Sequence, residues 1–362
     1  MLSRVWIFLL LFVTSTFTEG VDFQTSLEGI RNQFNLPAIA AMISTSNGIK
    51  SIAATGKRKL GFIEEVTIDD KFHLGSCTKA MTSTLAATFI EEKKLEWSST
   101  LKNLFPEISI HKSLENVKFE DLLVHRAGLP ANPGPDFYNR LSSLDISEAR
   151  RELAKSFLLI KPEFKVGTYH YSNVGYIIAG HILERISGKS WEVLMEDRLF
   201  SPLGMNCGFG ITSSNEEKIP TQPWGHLRGN NSIVPLQGDN APFYGPAGTV
   251  HCPMKDWNKF LSIHIDGYNG IESIIKISSF KKLHAPYPEE GETYTYGAWR
   301  RLDRKWAKGH VFTHTGSNTL NYSNVWIAPK IKTSIIGVSN IGGDNAWKAT
   351  NAAVLEALEK LK

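Results

Sequence analysis

A chain of 362 residues, 42% hydrophobic and 21% charged, can bury a large core, as two domains or as one large domain with an insertion. Its formal net charge of +4 is small for that length, and its Lys and Arg residues are scattered, which argues against nucleic acid as a partner. The 3 cysteines, Cys77, Cys207 and Cys252, cannot build a disulfide framework and fit no zinc spacing, though a single Cys207–Cys252 bridge stays open.

At the N-terminus one positive charge, Arg4, precedes the apolar run Val5 to Val13, too short to span a bilayer and suited to the core of a signal peptide. Residues 1–18 therefore read as an export leader directing the chain to a secreted or periplasmic location, with no integral membrane span in the mature chain. The small-residue patch Thr14 to Thr18 lacks an Ala-x-Ala cleavage site, so an uncleaved anchor stays open. An amphipathic helix is expected over Phe23 to Phe34. A β-hairpin should follow, Ala38 to Ser44 and Ile49 to Ala54, around Asn47-Gly48, both of which a tight two-residue turn would hold at positive φ.

Ala80 to Ile90 contains no charge before Glu91-Glu92-Lys93-Lys94 returns to water, which predicts a buried helix starting near Ser76. A short helix from Phe119 to Val124 should stop at Gly128 and Pro130. Asp145 should cap a helix whose apolar side is Ile146, Ala149, Leu153 and Phe157. Helical patterns over Asn173 to Ile186 and Ser190 to Phe200 end at Gly188 and before Pro202. From about Tyr244 the character changes: Asp256 is expected to cap a helix through Ile265, and strands follow at Val311 to His314, Asn324 to Ile327 and Thr333 to Ser339. The chain closes as a helix over Asp344 to Leu361, with Trp347, Leu355 and Leu358 inward. Strands near both termini with helices between them give an α/β (α+β) fold: a sheet domain from residues 20–72 and 245–362, interrupted by a mainly helical domain over 73–244.

The charge-free helix makes Lys79 an anomaly, since lysine is almost never buried without a partner and desolvation drives its pKa down. Ser76, three residues earlier, lies on the same helical face, where Lys79 can handle its proton. Ser-x-x-Lys by itself discriminates poorly, because it also starts at Ser99, Ser109, Ser273, Ser278 and Ser279. Only Ser76 follows a strand-like segment and a glycine and heads a helix, where backbone N–H groups favour developing negative charge; the bland alternative is a capping serine beside a snorkelling lysine. Tyr171-Ser172-Asn173 opens another helix and offers a phenol as base and a carboxamide to steer a lysine and a substrate carbonyl, or else a core tyrosine and a capping asparagine. Tyr322-Ser323-Asn324 repeats the tripeptide. His314-Thr315-Gly316-Ser317 ends a strand that could lie alongside an extended substrate. His310 and His314 suggest no metal, because four residues of strand span roughly 13 Å.

In the order Ser76-Cys77-Thr78-Lys79, Tyr171-Ser172-Asn173, His314-Thr315-Gly316, these elements resemble the penicillin-recognising serine hydrolases, in particular the class C β-lactamase and D-alanyl-D-alanine carboxypeptidase branch. Leu122 to Leu129, Pro202-Leu203-Gly204-Met205, Gly245-Pro246-Ala247-Gly248 and Tyr296-Gly297 look similar too. The likeness covers about Phe23 to Leu361 and favours Tyr171 over Tyr322. It implies a β-lactamase/transpeptidase-like fold, an antiparallel sheet flanked by N- and C-terminal helices with an all-helical insertion. It also implies Ser76 as nucleophile, Lys79 as proton acceptor or relay, Tyr171 as base and Asn173 as the residue holding Lys79 and the substrate amide. The backbone N–H groups of Ser76 and Ser317 would form the oxyanion hole, and His314 and Thr315 would line the substrate strand.

Two departures stand out. Class C β-lactamases carry lysine where this chain has His314, and a histidine near its ordinary pKa offers a substrate carboxylate only a partial charge at neutral pH. Arg126-Ala127 stands where the family often has small hydroxylated residues. The resulting expectation is a serine hydrolase with no metal or organic cofactor, acting on a small-molecule or short-peptide ester or amide, carboxypeptidase-like or esterase-like. A true β-lactamase is the alternative within the enzyme class, and a non-catalytic peptide-binding or scaffold protein the alternative outside it. Asn230 and Asn321 head glycosylation sequons.

Overall fold

The computed structural model describes residues 15–214, 216–287 and 293–361. The expected leader over 1–18 falls largely on residues 1–14, outside the described residues. The first helix runs Ser15–Gln33, earlier than the predicted start at Phe23, and no helix among the described residues is long and apolar enough to cross a membrane.

Eleven strands follow in chain order: β1 (Ala38–Thr45), β2 (Gly48–Gly56), β3 (Lys71–His73), β4 (Gly208–Phe209), β5 (His226–Arg228), β6 (Ile233–Pro235), β7 (Val250–Pro253), β8 (Arg300–Arg304), β9 (Gly309–Ser317), β10 (Tyr322–Ala328) and β11 (Thr333–Ser339). Six of them form one antiparallel sheet in the order β2-β1-β11-β10-β9-β8. The two termini therefore meet in its centre, β1 lying beside β11 with Ile39 opposite Ser339. At the β1–β2 turn only Gly48 takes positive φ, at 101°, while Asn47 does not, and the register shifts between Ile43 and Ser44. The expected double-positive turn is thus replaced by one whose special conformation falls on the glycine alone, as in a bulged hairpin.

Both faces of the sheet are covered, which explains the nearly continuous apolar reading of β1 and β11. Ile39, Ala41 and Ile43 pack with Phe23 and Leu27 of the first helix and Ala349 and Ala353 of the last. Ala38, Ala40 and Met42 face the opposite core, shared with Met81, Leu85, Ile177 and Phe260. The terminal helix Asp344–Glu359 departs from expectation: Trp347 and Leu355 are 49% and 64% exposed and Leu358 is only partly buried, while Ala346, Ala349, Ala353, Val354 and Ala357 face inward. A helix lying close on a sheet and a second helix buries its small residues, so the apolar bulk that suggested an inner face lies on the outer one.

The segment 73–244 carries β4, β5 and β6 besides its helices, so it is mainly rather than wholly helical. Its helices include Ile146–Leu159 and Asn173–Ser187, the latter ending at Gly188 as expected. The helix expected to begin at Asp256 instead runs Met254–Tyr268, and the Asp256 carboxylate accepts from the Asn206 N–H at 3.0 Å. Strands β3, β7 and β4 make a small sheet in which Phe72 pairs with Cys252. Cys252 is disulfide-bonded to Cys207, leaving Cys77 free and buried.

Candidate active site

Strand β3 leads through Leu74 into a single tight turn, Gly75–Cys77, and then into the helix Thr78–Glu91, buried along nearly its whole length. A helix with no charge from Ala80 to Ile90 has no side that prefers water, so the core takes all of it and Lys79 with it. Lys79 is fully buried. Its Nζ lies 2.6 Å from the Ala247 carbonyl oxygen, 2.7 Å from Asn173 Oδ1 and 3.2 Å from Ser76 Oγ. Among the described residues no carboxylate pairs with it, and burial pushes its pKa down to about 7. The two shortest contacts are to oxygens that can only accept. A neutral amine fills both with its two N–H groups and keeps its lone pair for the Ser76 hydroxyl.

Tyr171-Ser172-Asn173 begins the Asn173–Ser187 helix, and its cap is Ser172, which accepts from the Gly175 N–H at 3.0 Å. Asn173 is thereby free of capping duty. Its Oδ1 holds Lys79 and its Nδ2 donates to Asn132 Oδ1 at 2.8 Å. Tyr171 hydrogen-bonds Ser76, and its ring centroid lies 5.0 Å from Lys79 Nζ. Burial raises the phenol above its ordinary pKa in spite of the Ser76 bond, so it stays protonated at neutral pH.

The segment from Leu122 to Leu129 packs against this tripeptide. His125, at φ 61°, accepts from the Ser172 N–H on Nδ1 at 3.0 Å, and its ring centroid lies 4.2 Å from that of Tyr171. Burial keeps His125 well below its ordinary pKa. Buried Arg126 donates from Nη1 to the Gly167 carbonyl at 2.6 Å and lies 4.3 Å over the Tyr287 ring. The sequence departure at Arg126 thus ties down the loop that presents Tyr171.

The third element closes on the first. Gly75 is at φ 50°, and a Cβ there would sit 2.4 Å from the Ser317 nitrogen; a Cβ on Gly316 would sit 1.9 Å from the Leu74 carbonyl oxygen. Two glycines therefore let β9 lie directly on the Ser76 turn, bringing the Ser76 and Ser317 amides together. Ser323 of the second Tyr-Ser-Asn copy locks the approach from β10, donating to Leu74 O at 2.7 Å with the Cys77 sulfur at 3.3 Å. The repeat at Tyr322 is therefore structural. Strand β8 pairs with β9 only as far as Thr313, whereas β10 pairs with it through Ser317, so among the described residues no strand pairs with the other edge of residues 314–317, the edge an extended substrate would use.

His314 behaves differently from its expected role. Its Nδ1 lies 2.6 Å from the Thr315 carbonyl and donates to it, and its Nε2 accepts from the Tyr294 hydroxyl at 3.2 Å. Burial, with Lys79 close by, lowers its pKa to about 4. It is neither a solvent-facing strand residue nor a partial cation at neutral pH, because both ring nitrogens are committed and a second charge beside Lys79 is unfavourable. Thr315, on the opposite face of β9, is exposed. His310 faces Asp303, at 2.6 Å, away from His314's partners. Of the two sequons, Asn230 is exposed, whereas Asn321 is buried with its Nδ2 on Asn318 Oδ1.

The sequence profile of the β-lactamase family matches residues 17–359. The chain belongs to that family. A curated relative, an unguisins hydrolase of Aspergillus campestris, is 28% identical over 54% of this chain and 38% of its own length. Penicillin-binding protein 4 of Amycolatopsis lactamdurans is 24% identical over 68% of this chain and 64% of its own. This chain thus spans between about a third and two thirds of these relatives. Among solved structures, a class C β-lactamase from Rhodobacter sphaeroides superposes with a TM-score of 0.72 at 17% identity, covering 93% of this chain and 99% of that one. The β-lactamase family is generally one of serine hydrolases.

Several residues at this β-lactamase-family site carried no mark in the sequence. The Ala247 carbonyl that receives Lys79 is backbone, so its side chain says nothing of it; the only signal was the family-like Gly245 to Gly248. His125 was marked only by its place in the family-like segment Leu122 to Leu129, and Tyr294 was not singled out. His73 and Asp239, 2.8 Å apart and both buried, come from segments far apart in the chain.

Proposed function

We propose that the chain is an exported serine hydrolase that transfers the acyl group of an ester or amide through a covalent intermediate on Ser76, using no metal or organic cofactor. The observation that carries this reading is Lys79, fully buried with no carboxylate partner among the described residues, its Nζ within hydrogen-bond distance of the Asn173 and Ala247 oxygens and of Ser76 Oγ. Such an amine exists to take a proton. As Ser76 Oγ attacks the carbonyl carbon, its proton passes to Lys79 Nζ, and the negative charge moves to the carbonyl oxygen. The Ser76 and Ser317 N–H groups hold that oxygen, each donor contributing about 3 kcal/mol. The ammonium then returns the proton, through the Tyr171 hydroxyl, to the leaving alkoxide or amine. Water attacks the acyl-enzyme in the same way, giving its proton to Lys79 by way of Tyr171, and Ser76 Oγ leaves with that proton. Tyr171 works as a relay, since a phenol held above its ordinary pKa is a poor resident base.

The substrate class follows from His314. With a pKa of about 4 it offers no positive charge on β9 to a substrate carboxylate, so neutral esters and amides are preferred over substrates that depend on one. The names of the relatives, a hydrolase of unguisins and a penicillin-binding protein, agree with acyl chemistry. Export is supported by the Cys207–Cys252 disulfide, which belongs to an oxidising compartment.

Fluorophosphonate or fluorescent penicillin should label the purified protein, and mass spectrometry should place the adduct on Ser76. A folded wild type that stays unlabelled, or a Ser76→Ala variant that still labels, removes the nucleophile assignment. In a comparison of p-nitrophenyl acetate, nitrocefin and a D-Ala-D-Ala peptide, kcat/KM for the neutral ester should exceed that for nitrocefin. Nitrocefin turnover near the diffusion-limited range of about 10⁸ M⁻¹s⁻¹ would instead mark a β-lactamase.

A further inference from the structure

The two halves of the oxyanion hole come from opposite ends of the chain, and one carboxylate touches the neighbours of both. Asp239 is buried in the loop between β6 and the Gly245–Gly248 turn. Its Oδ2 lies 2.8 Å from His73 Nε2, and its Oδ1 accepts from Asn318 Nδ2 at 2.9 Å and from the Asn240 N–H at 2.7 Å. His73 also accepts from the Gly75 N–H on Nδ1, at 3.1 Å. Nδ1 is therefore the acceptor and Nε2–H the donor, and the ring is a rigid strut from Asp239 to the residue before Ser76. On the other side Asn318 follows Ser317 directly, and its own Oδ1 is held by Asn321 Nδ2 at 3.2 Å. The Ser317 hydroxyl, for its part, donates to the Asn321 carbonyl at 2.8 Å.

We propose that Asp239 is a positioning residue that sets the spacing of the Ser76 and Ser317 amides, through His73 on one side and Asn318 on the other. The inference rests on the acyl-transfer reading. Its physical basis is that a buried carboxylate is costly unless every lone pair is engaged, and here the engagements fall on the two segments that must hold still while charge develops. Where β9 meets the Ser76 turn, glycine lies against backbone, which permits close approach, and Ser323 holds the turn from β10; the Asp239 contacts add a restraint on the two amide-bearing segments themselves. Asp239 touches neither Ser76 nor Lys79, so it should leave proton transfer alone.

The test compares wild type with Asp239→Asn and Asn318→Ala, each checked for folding by circular dichroism. An asparagine cannot accept from both His73 and Asn318, so one strut is lost; Asn318→Ala cuts the Ser317 side while keeping the charge. Expected for both is a 10- to 100-fold fall in kcat on a neutral ester, on the scale of a misplaced oxyanion donor. KM should stay within about threefold. Affinity for an uncharged boronic acid, whose tetrahedral adduct occupies the oxyanion hole, should fall in parallel, and the pH inflection should not move. The two variants combined should cost little more than the worse one. Folded variants with kcat and boronate affinity within twofold of wild type overturn the proposal, as does a loss confined to KM. If Asp239→Asn fails to fold, Asn318→Ala alone decides by the same criteria. A wild type that neither labels at Ser76 nor turns over esters overturns the acyl-transfer reading and this proposal with it, whereas an active wild type with unimpaired variants overturns the proposal alone.

Discussion

Lys79→Met should lower kcat/KM on a neutral ester by about 10³-fold or more while the protein remains folded, because the side chain keeps its approximate length and loses its ability to accept a proton. The pH profile of the wild type checks the same point independently. Lys79 titrates at about 7, and only the free amine can take the Ser76 proton, so kcat/KM should rise with pH and level off above that value. Measured from pH 5 to 9, the curve should show one limb, since His314 is already neutral above about pH 4. The Met variant should lose the inflection along with the rate. A wild-type rate that is still climbing without a plateau at pH 9 would mean a lysine at its ordinary pKa and would overturn the reading of Lys79 as the neutral base. The stability linkage has a definite sign. From about pH 7 up to the ordinary value of 10.5 the unfolded chain holds a proton on Lys79 that the folded chain lacks, so this residue makes stability rise with pH across that window. Below about 7 the folded chain bears the full cost of burying the charged ammonium.

Gly316→Ala should reduce kcat by at least about 100-fold, the scale expected when reacting groups are displaced by about 1 Å. The new methyl would overlap the Leu74 carbonyl at 1.9 Å and approach the Ser76 nitrogen and Ser323 Oγ at 2.8 Å. Two of those atoms are backbone and cannot rotate away. Strand β9 must lift off the Ser76 turn, and the Ser76 and Ser317 amides, proposed as the oxyanion donors, separate. Gly29→Ala is the matched control, since nothing lies within 4 Å of a Cβ there. It should leave kcat unchanged and, in the Ser15–Gln33 helix, add about 0.5–1 kcal/mol of stability. Equal activity of Gly316→Ala and wild type would show that the Ser317 amide is not part of the site.

How far the site could be read in advance depended on what each residue answers to. Lys79 was legible because a charge at the head of an apolar helix violates a burial rule that holds in any fold. Ser76, Tyr171 and Asn173 were legible through order, which also separated Tyr171 from its copy at Tyr322. His314 was visible as a position but not as a chemistry, because its charge depends on burial and on Lys79 close by, neither of which its neighbours in sequence announce. Trp347 and Leu355 misled for a related reason: hydrophobicity marks what can be buried, and the partner's distance decides what fits, which on this sheet is alanine. Strand β8, Arg300-Arg301-Leu302-Asp303-Arg304, gave no apolar signal because it is an edge.

Residue type and order along the chain were enough for the sheet built from both termini and the buried lysine beside a serine at the head of a helix, which follow from periodicity and burial cost, and for membership of the β-lactamase family, which the ordered motifs resemble. Folding in three dimensions decided the rest. It buried Lys79 and so pushed its pKa down to about 7, lowered that of buried His314, gave Arg126 a loop to hold, and set His73 and Asp239 beside the neighbours of the Ser76 and Ser317 amides. Each of these depends on the distance between segments remote in sequence, and electrostatic and hydrogen-bond energies depend on that distance before they depend on the residues themselves.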